Sequence, residues 1–553
     1  MKKELLLLLL FLAGIKFSTY ATHFAGTELT YKALAPNTYE VTFKLYRECN
    51  STAFPTSMGI TVAAPGCNTG RNITLNLASQ QIRSVKGPAA LGGCNAGYEG
   101  ILSLGTYTGT LTFAAAEQSC TDWVLSWSTC CRTDIANLNN ASTSSIYTEA
   151  HLKLLPNLVN SSPQFDTINF NAPPAGYNQK ILVSALAQDA DGDSLVYSSV
   201  APLTSANQPL TYGPLPGNGA GHFINPNPQP PFDTINNPQI AVMPALGTNY
   251  SPSFPLFSII VDWVVGQQVV NAQPFFELNP HTGNIAFQPA YYITTSGPPS
   301  QMGQNRYVLT IQVDEYRKIN GVPTKIGSVR RETYIDVIDG AGNANPYLSQ
   351  VEMNATAIAE GDLIELRPGV TMNLKLTATD QDSTSTVLMT SNVSSILPGA
   401  VFSQNGLNLP AGSVTWTATA SDVRDQPYYF NVVLKDNVSP MRGYHERTIG
   451  VRVRQNGNVT GIKKAFAANA NFTAYPNPFT DKISFKFNQQ VKAESIIIYN
   501  VLGRQVDQIE ISKTASGEQH LQWENAGKHA AGIYVAKLVS ADKTVQTLKF
   551  TKL

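Results

Sequence analysis

Charge is scarce in this chain. Only 14% of its 553 residues are Asp, Glu, Lys or Arg, against about 25% in ordinary soluble domains. The 38 basic and 38 acidic side chains cancel, so the net charge is zero. Without a basic face the chain is a poor partner for nucleic acid, whose phosphates dominate such binding. Long apolar runs are missing too. Only Leu5 to Ile15 is continuously apolar, well short of the ~20 residues that span a bilayer, so no transmembrane anchor is expected. Helical periodicity is almost absent. So are linear catalytic signatures. His23, His151, His222, His281, His445, His520 and His529 are scattered and none forms H-E-x-x-H, and no G-x-S-x-G elbow occurs. Triads and carboxylate pairs can assemble in space without leaving a linear trace. The expectation is nevertheless a protein that is not an enzyme, with no catalytic residue to name.

What is present is β-sheet chemistry. Tyr39-Glu-Val-Thr-Phe-Lys-Leu-Tyr46, Tyr107-Thr-Gly-Thr-Leu-Thr-Phe113, Tyr307-Val-Leu-Thr-Ile-Gln-Val313 and Tyr429-Phe-Asn-Val-Val-Leu434 are rich in β-branched and aromatic residues. Gly, Pro, Asn and Asp bound them, as they bound short strands. With 34 prolines and 40 glycines, the pattern predicts an all-β chain of sandwiches rather than a parallel α/β sheet. Trp123 and Trp127 are four apart, which places both on one strand face. Such a face either stacks on sugar rings or packs into a core, the commoner fate.

Residues 1–21 read as a secretory signal peptide: Lys2 and Lys3, then the apolar run, then Thr19-Tyr20-Ala21 as a small-x-small cleavage site. No cysteine lies near that site, which argues against a lipid anchor. All six cysteines, Cys49, Cys67, Cys94, Cys120, Cys130 and Cys131, precede residue 132. An even number in an exported chain predicts disulfides. Bridging the neighbours Cys130 and Cys131 would strain the ring, so each is expected to pair elsewhere, with the partners left open.

Composition then divides the mature chain. A disulfide-containing β domain is expected at 22–162 and a second β domain at 163–345. The second carries a Pro/Asn/Gly-rich insertion, Leu203 to Leu246, expected to be a long loop. A third β domain spans 346–455, a small polar linker 456–470, and a compact unit 471–553.

The candidate chemistry sits in Gln188-Asp-Ala-Asp-Gly-Asp-Ser194. Asp189, Asp191 and Asp193 alternate, and such close carboxylates repel unless a cation neutralises them. Calcium takes several oxygen ligands from irregular loops, so calcium is the candidate cofactor. The rival reading is an Asp-Gly turn with no ion. The loop departs from an EF-hand, because Gly192 precedes the third Asp and no Glu ends it. It resembles the Asp-x-Asp-Gly-Asp loops of cadherin-like and bacterial Ig-like surface modules. Asp336 and Asp339, with Asn343 and Asn345, precede Pro346 at a domain junction. In cadherin-like arrays that position holds calcium; here a plain polar linker is the rival. Ala378-Thr-Asp-Gln-Asp382 echoes Ala187-Gln-Asp-Ala-Asp191.

Two longer resemblances add an address. His23-Phe-Ala-Gly-Thr-Glu-Leu-Thr-Tyr31, Cys130-Cys-Arg-Thr133 and Asn160-Ser-Ser-Pro-Gln-Phe165 resemble the N-terminal region of large exported Bacteroidetes proteins of the gliding-motility-associated or adhesin-like kind. That family offers no established catalytic residues. Phe472-Thr-Ala-Tyr-Pro-Asn-Pro-Phe479 and the alternating segments after it resemble the type A C-terminal sorting domain of the type IX secretion system. The motif residues are Tyr475, Pro476, Asn477, Pro478, Gly503, Gly532 and Tyr534. The resemblance implies a seven-stranded β-sandwich, handling by the type IX machinery, and removal of the domain at the outer membrane. The whole reads as tandem Ig-like or cadherin-like β-sandwiches plus a small sorting sandwich. The protein is then secreted or held on the outer cell surface, for adhesion or matrix contact through an unknown glycan or protein ligand. The alternative is a secreted glycan-binding or glycan-degrading protein.

Overall fold

The computed structural model describes residues 24–552, except 49–52, 85–100, 157, 166–174, 217–221, 225–227, 243–248, 262, 294–303, 339–341, 383–384, 439–441, 456–471, 476–478, 489–492, 501–504, 513–517, 531 and 541–542. The expected signal peptide and linker, Cys49, Cys94, Asp339, Pro476, Asn477, Pro478 and Gly503 therefore lie outside the described residues. The fold is all-β, as expected, and the chain divides into two compact units: 1–361 with 366–457, and 458–553 with 362–365.

Seven strands open the first unit: β1 (Phe24–Ala35), β2 (Thr38–Glu48), β3 (Ser57–Ala64), β4 (Thr69–Ser84), β5 (Ile101–Thr112), β6 (Asp122–Thr129) and β7 (Ile146–Lys153). They hydrogen-bond in the order β1-β2-β5-β4-β3-β6-β7. Both ends of this ribbon then pair with one long strand, Val322–Ile338. Gly26–Glu28 of β1 lie opposite Arg331–Thr333, and Ala150–Leu152 of β7 lie opposite Gly327–Val329. The ladder thus returns on itself and leaves neither end as a free edge. Segments 22–162 and 163–345, read separately from composition, share this sheet.

The long strand is one arm of a hairpin with Arg306–Ile319. Its turn, Asn320-Gly321, has φ of 51° and 80°, the positive values a two-residue hairpin turn requires and Asn-Gly supplies at least cost. Ser194–Val200 adds to the far edge of Arg306–Ile319. The Pro-rich insertion is not only loop: His222–Ile224 pairs with Ile240–Val242, which runs parallel to Val269–Asn271. Its apolar residues, Ile240 to Val242 among them, supply ladder positions between the prolines. In the third segment, Thr371–Thr379 and Ala411–Thr417 alternate exposed and buried residues. Met372, Leu374, Leu376, Val414 and Trp416 face inward there. Trp123 and Trp127 do share a face of β6, and both are core residues, against Phe113 and Phe43 respectively.

Among its described residues the C-terminal unit has seven strands, the number its resemblance implied, in sheets of three and four. Phe485, Phe487, Ile496, Ile498, Trp523, Tyr534, Ala536, Leu538 and Phe550 form its core. Residues 534, 536 and 538 face inward, so Val535 points the other way. The buried Lys552 ammonium donates to the carbonyls of Ala526 at 2.8 Å, Gly527 at 3.2 Å and His529 at 2.5 Å.

Cysteine pairing departs from expectation at one place. Cys67 bridges Cys120 across 53 residues, but Cys130 and Cys131 bridge each other. The peptide between them is cis, which brings their Cα atoms to 3.1 Å and lets the sulfurs meet.

Buried ion pairs fasten the shared sheet. The Arg132 side chain is fully buried and donates to both Glu332 oxygens, at 3.1 and 2.8 Å, and to the Leu203 carbonyl. Removing one partner leaves an uncompensated buried charge. Glu332→Gln should therefore lower unfolding free energy by about 3–5 kcal/mol, measured by urea denaturation. A second test uses His445, buried with its ring 4.7 Å from Tyr347. Burial, then the Arg447 and Lys180 charges, push its pKa down to about 3. The unfolded chain takes up that proton near pH 6.5 and the folded chain does not. His445 thus costs stability as pH falls below 6.5, by up to about 1.4 kcal/mol per pH unit. His445→Gln should flatten that slope in pH-dependent melts relative to wild type.

Candidate functional site

The aspartate loop lies between the short strand Ala187–Gln188 and the strand Ser194–Val200. Asp189 builds its turn: Oδ1 accepts the backbone N–H of Asp191 at 3.0 Å and of Asp193 at 2.7 Å. Gly192 completes the turn at φ 76°, a conformation costly for any side chain with a Cβ. The three aspartates converge as the sequence suggested. A fourth carboxylate joins them: Glu315 on Arg306–Ile319 presents an oxygen so that one from each of Asp189, Asp191, Asp193 and Glu315 lies within 4.8 Å of the others.

Each carboxylate is fixed by a different part of the first unit. Asp191 Oδ2 accepts the Ser161 N–H at 2.6 Å. Asp193 receives both Nε and Nη2 of Arg317, at 2.7 and 2.5 Å. Arg317 also donates to Asn160 Oδ1 at 2.8 Å and to the Val159 carbonyl. Asn160 in turn donates to Glu315 Oε2 at 2.8 Å. Ser162 Oγ accepts the Tyr31 N–H, tying this segment to β1. The Asn160-Ser-Ser motif, carried in the sequence only by its resemblance, is therefore the bracket of the acidic cluster.

Glu315 is wholly buried, and neither its Oε1 nor Asp189 Oδ2 receives a proton from any N–H or hydroxyl. Burial, then the neighbouring Asp189, holds the Glu315 carboxyl well above the usual range. Burial first, with Asp193 and Asp191 adding, also raises Asp189. A divalent cation among them would offset the charge that burial penalises. The donor set is all oxygen, which suits a hard cation such as calcium or magnesium. Sequence reasoning missed Glu315, Arg317 and Asn160. Glu315 did leave a signal: it continues the inward register of Tyr307, Leu309, Ile311 and Val313, where an acid is out of place.

Of the second acidic candidate, Asp336 and the asparagines are described and Asp339 is not. Asp336 is committed to Arg306, with contacts of 2.7 and 3.1 Å, because strand pairing sets the two opposite one another. Asn343 instead donates to Asp436, and the Ala344 N–H goes to Asp382. The echo of the first loop is real in geometry: Asp380 Oδ1 accepts the Asp382 N–H at 2.9 Å, the same Asp-x-Asp turn. In the C-terminal unit, Tyr475 meets His520 at 2.7 Å, Tyr534 donates to the Ala530 carbonyl at 2.6 Å, and Gly532 has φ 151°.

Gly327 presses against the cluster. A Cβ there would sit 2.5 Å from Glu315 Oε2 and 2.8 Å from the Tyr31 hydroxyl. Gly327→Ala should destabilise the fold by about 1–3 kcal/mol, read from denaturant midpoints.

Residues 473–552 match the family model described as a secretion system C-terminal sorting domain. A comparison with curated proteins finds no match. Among solved structures, dimeric latent PorU from Porphyromonas gingivalis is 11% identical, with 71% of this chain and 32% of that one covered, at a TM-score of 0.21. The N-terminal eight Ig domains of Down Syndrome Cell Adhesion Molecule are 10% identical over 96% and 49%, at 0.16. The endo-fucoidan hydrolase MfFcnA4 is 10% identical over 71% and 44%, at 0.13. The chain spans less than half the length of each, and no function follows from these likenesses. Among the described residues no helix is long and apolar enough to cross a membrane. The sorting tail marks a secreted or cell-surface protein from which the tail is removed.

Proposed function

We propose that the delivered part is a non-enzymatic adhesion or matrix-contact protein of tandem β-sandwiches, stiffened by a calcium ion at Asp189, Asp191 and Glu315, with Asp193 beside it held by Arg317. The observation that carries the reading is Glu315. A fully buried acid with a donorless oxygen, aimed at three aspartates, is costly unless a cation or a proton is supplied. Calcium supplies charge without chemistry, which suits a scaffold working outside the cell. The ion would join the loop, the Asn160–Ser162 segment and the hairpin strand, three parts that local sequence does not connect. The sorting tail supports delivery by the type IX machinery.

Melting of the chain should rise in millimolar calcium, because a ligand that binds only the native state stabilises it, by about 2.7 kcal/mol at a hundredfold excess over Kd. Asp191→Ala and Glu315→Gln should each abolish the rise. Adhesion is tested by binding of fragment 22–457 to whole cells and matrix, which should be lost in chelator. An unchanged wild-type melt refutes the calcium reading. Deleting residues 471–553 should strand the protein in the periplasm of a host with this pathway, as cell fractionation would show.

A further inference from the structure

An open cleft of about 750 Å³ lies beside the carboxylate cluster. One wall is the aspartate loop with Tyr316, Arg317 and Lys318; the other is the turn Arg424–Gln426, over a hundred residues away in sequence. Asp191 and Asp193 stand in the wall, whereas Asp189 and Glu315 lie outside the lining.

The oxygen inventory of the cluster is short. Both Asp193 oxygens hold Arg317, Asp189 Oδ1 holds the turn, Asp191 Oδ2 holds Ser161 and Glu315 Oε2 holds Asn160. One oxygen each of Asp189, Asp191 and Glu315 stays uncommitted. Calcium takes about six to eight oxygens, so roughly half must come from outside the protein. The Glu315 side is closed by Tyr31, Gly327 and Asn160. Asp191 and Asp193 line the cleft, so further oxygens can reach the cluster from that side.

The cleft walls carry groups that can bond hydroxyls. Asp425, Gln426 and Arg424 are planar groups able to bond two neighbouring oxygens, and Tyr316 adds an aromatic ring. The Arg424 guanidinium is held in place by the Gln426 and Pro427 carbonyls, each at 2.9 Å, and lies 3.4 Å over the Tyr428 ring. The Asp425 side chain is 89% exposed, with Lys318 4.0 Å away. We propose that this cleft is a saccharide site, in which vicinal hydroxyls of a glycan complete the coordination of the bound cation while Arg424, Asp425 and Gln426 grip the sugar. The proposal rests on the calcium reading above.

The test is affinity electrophoresis of the full secreted chain through gels containing an α-mannan, a β-glucan or a galactan, with calcium or with chelator. Calcium-dependent retardation by at least one polysaccharide is expected. The variant Asp425→Ala with Gln426→Ala should bind about tenfold more weakly, the loss of about 1.4 kcal/mol, while its calcium-induced rise in melting persists. If calcium raises the melt but no polysaccharide retards the chain, the saccharide site is refuted and the calcium site stands. Calcium-driven self-association without retardation refutes it equally, in favour of a protein partner. Retardation that survives chelator refutes the coordination by sugar. No effect of calcium on the melt overturns both readings.

Discussion

The strand Val322–Ile338 is the constraint on which the first unit depends. One edge pairs along its length with Arg306–Ile319, and the other accepts β1 and β7 at adjacent positions. A strand with several partners cannot slip, since a shift of one residue would turn every side chain to the wrong face. Its buried charges reinforce the register. Glu332 meets Arg132, and Arg331 lies 3.7 Å from Glu28, whose other oxygen receives Lys44. These pairs specify where the strands meet more than they add net stability, because desolvation offsets much of their attraction.

That register also delivers the acidic cluster. Arg306–Ile319 is held by the hairpin, so Glu315 is driven inward and Arg317 reaches Asp193. The Asn160–Ser162 segment hangs from β1 through Ser162 and closes the cluster from the opposite side. The site is thus built by pairing between residues about 125 to 155 positions apart.

This explains what was legible in the sequence. Period-two runs gave the strands and the all-β class, since alternation is local. The turn at Asp189–Gly192 was legible for the same reason. The C-terminal unit was legible as a whole because its motifs lie within eighty residues. The union of segments 22–162 and 163–345 in one sheet was not, because closure of β1 and β7 on one distant strand leaves no local mark. The partner of Asp336 was hidden likewise: cross-strand pairing with Arg306 claims it. The Cys130–Cys131 bridge escaped because sequence does not announce a cis peptide.

The account turns on a cation among Asp189, Asp191 and Glu315, and anomalous diffraction from crystals grown with calcium looks at it most directly. A peak about 2.3–2.6 Å from those carboxylate oxygens, with further oxygens on the cleft side, is the result expected. Crystals grown in saturating calcium that show no peak there would contradict it.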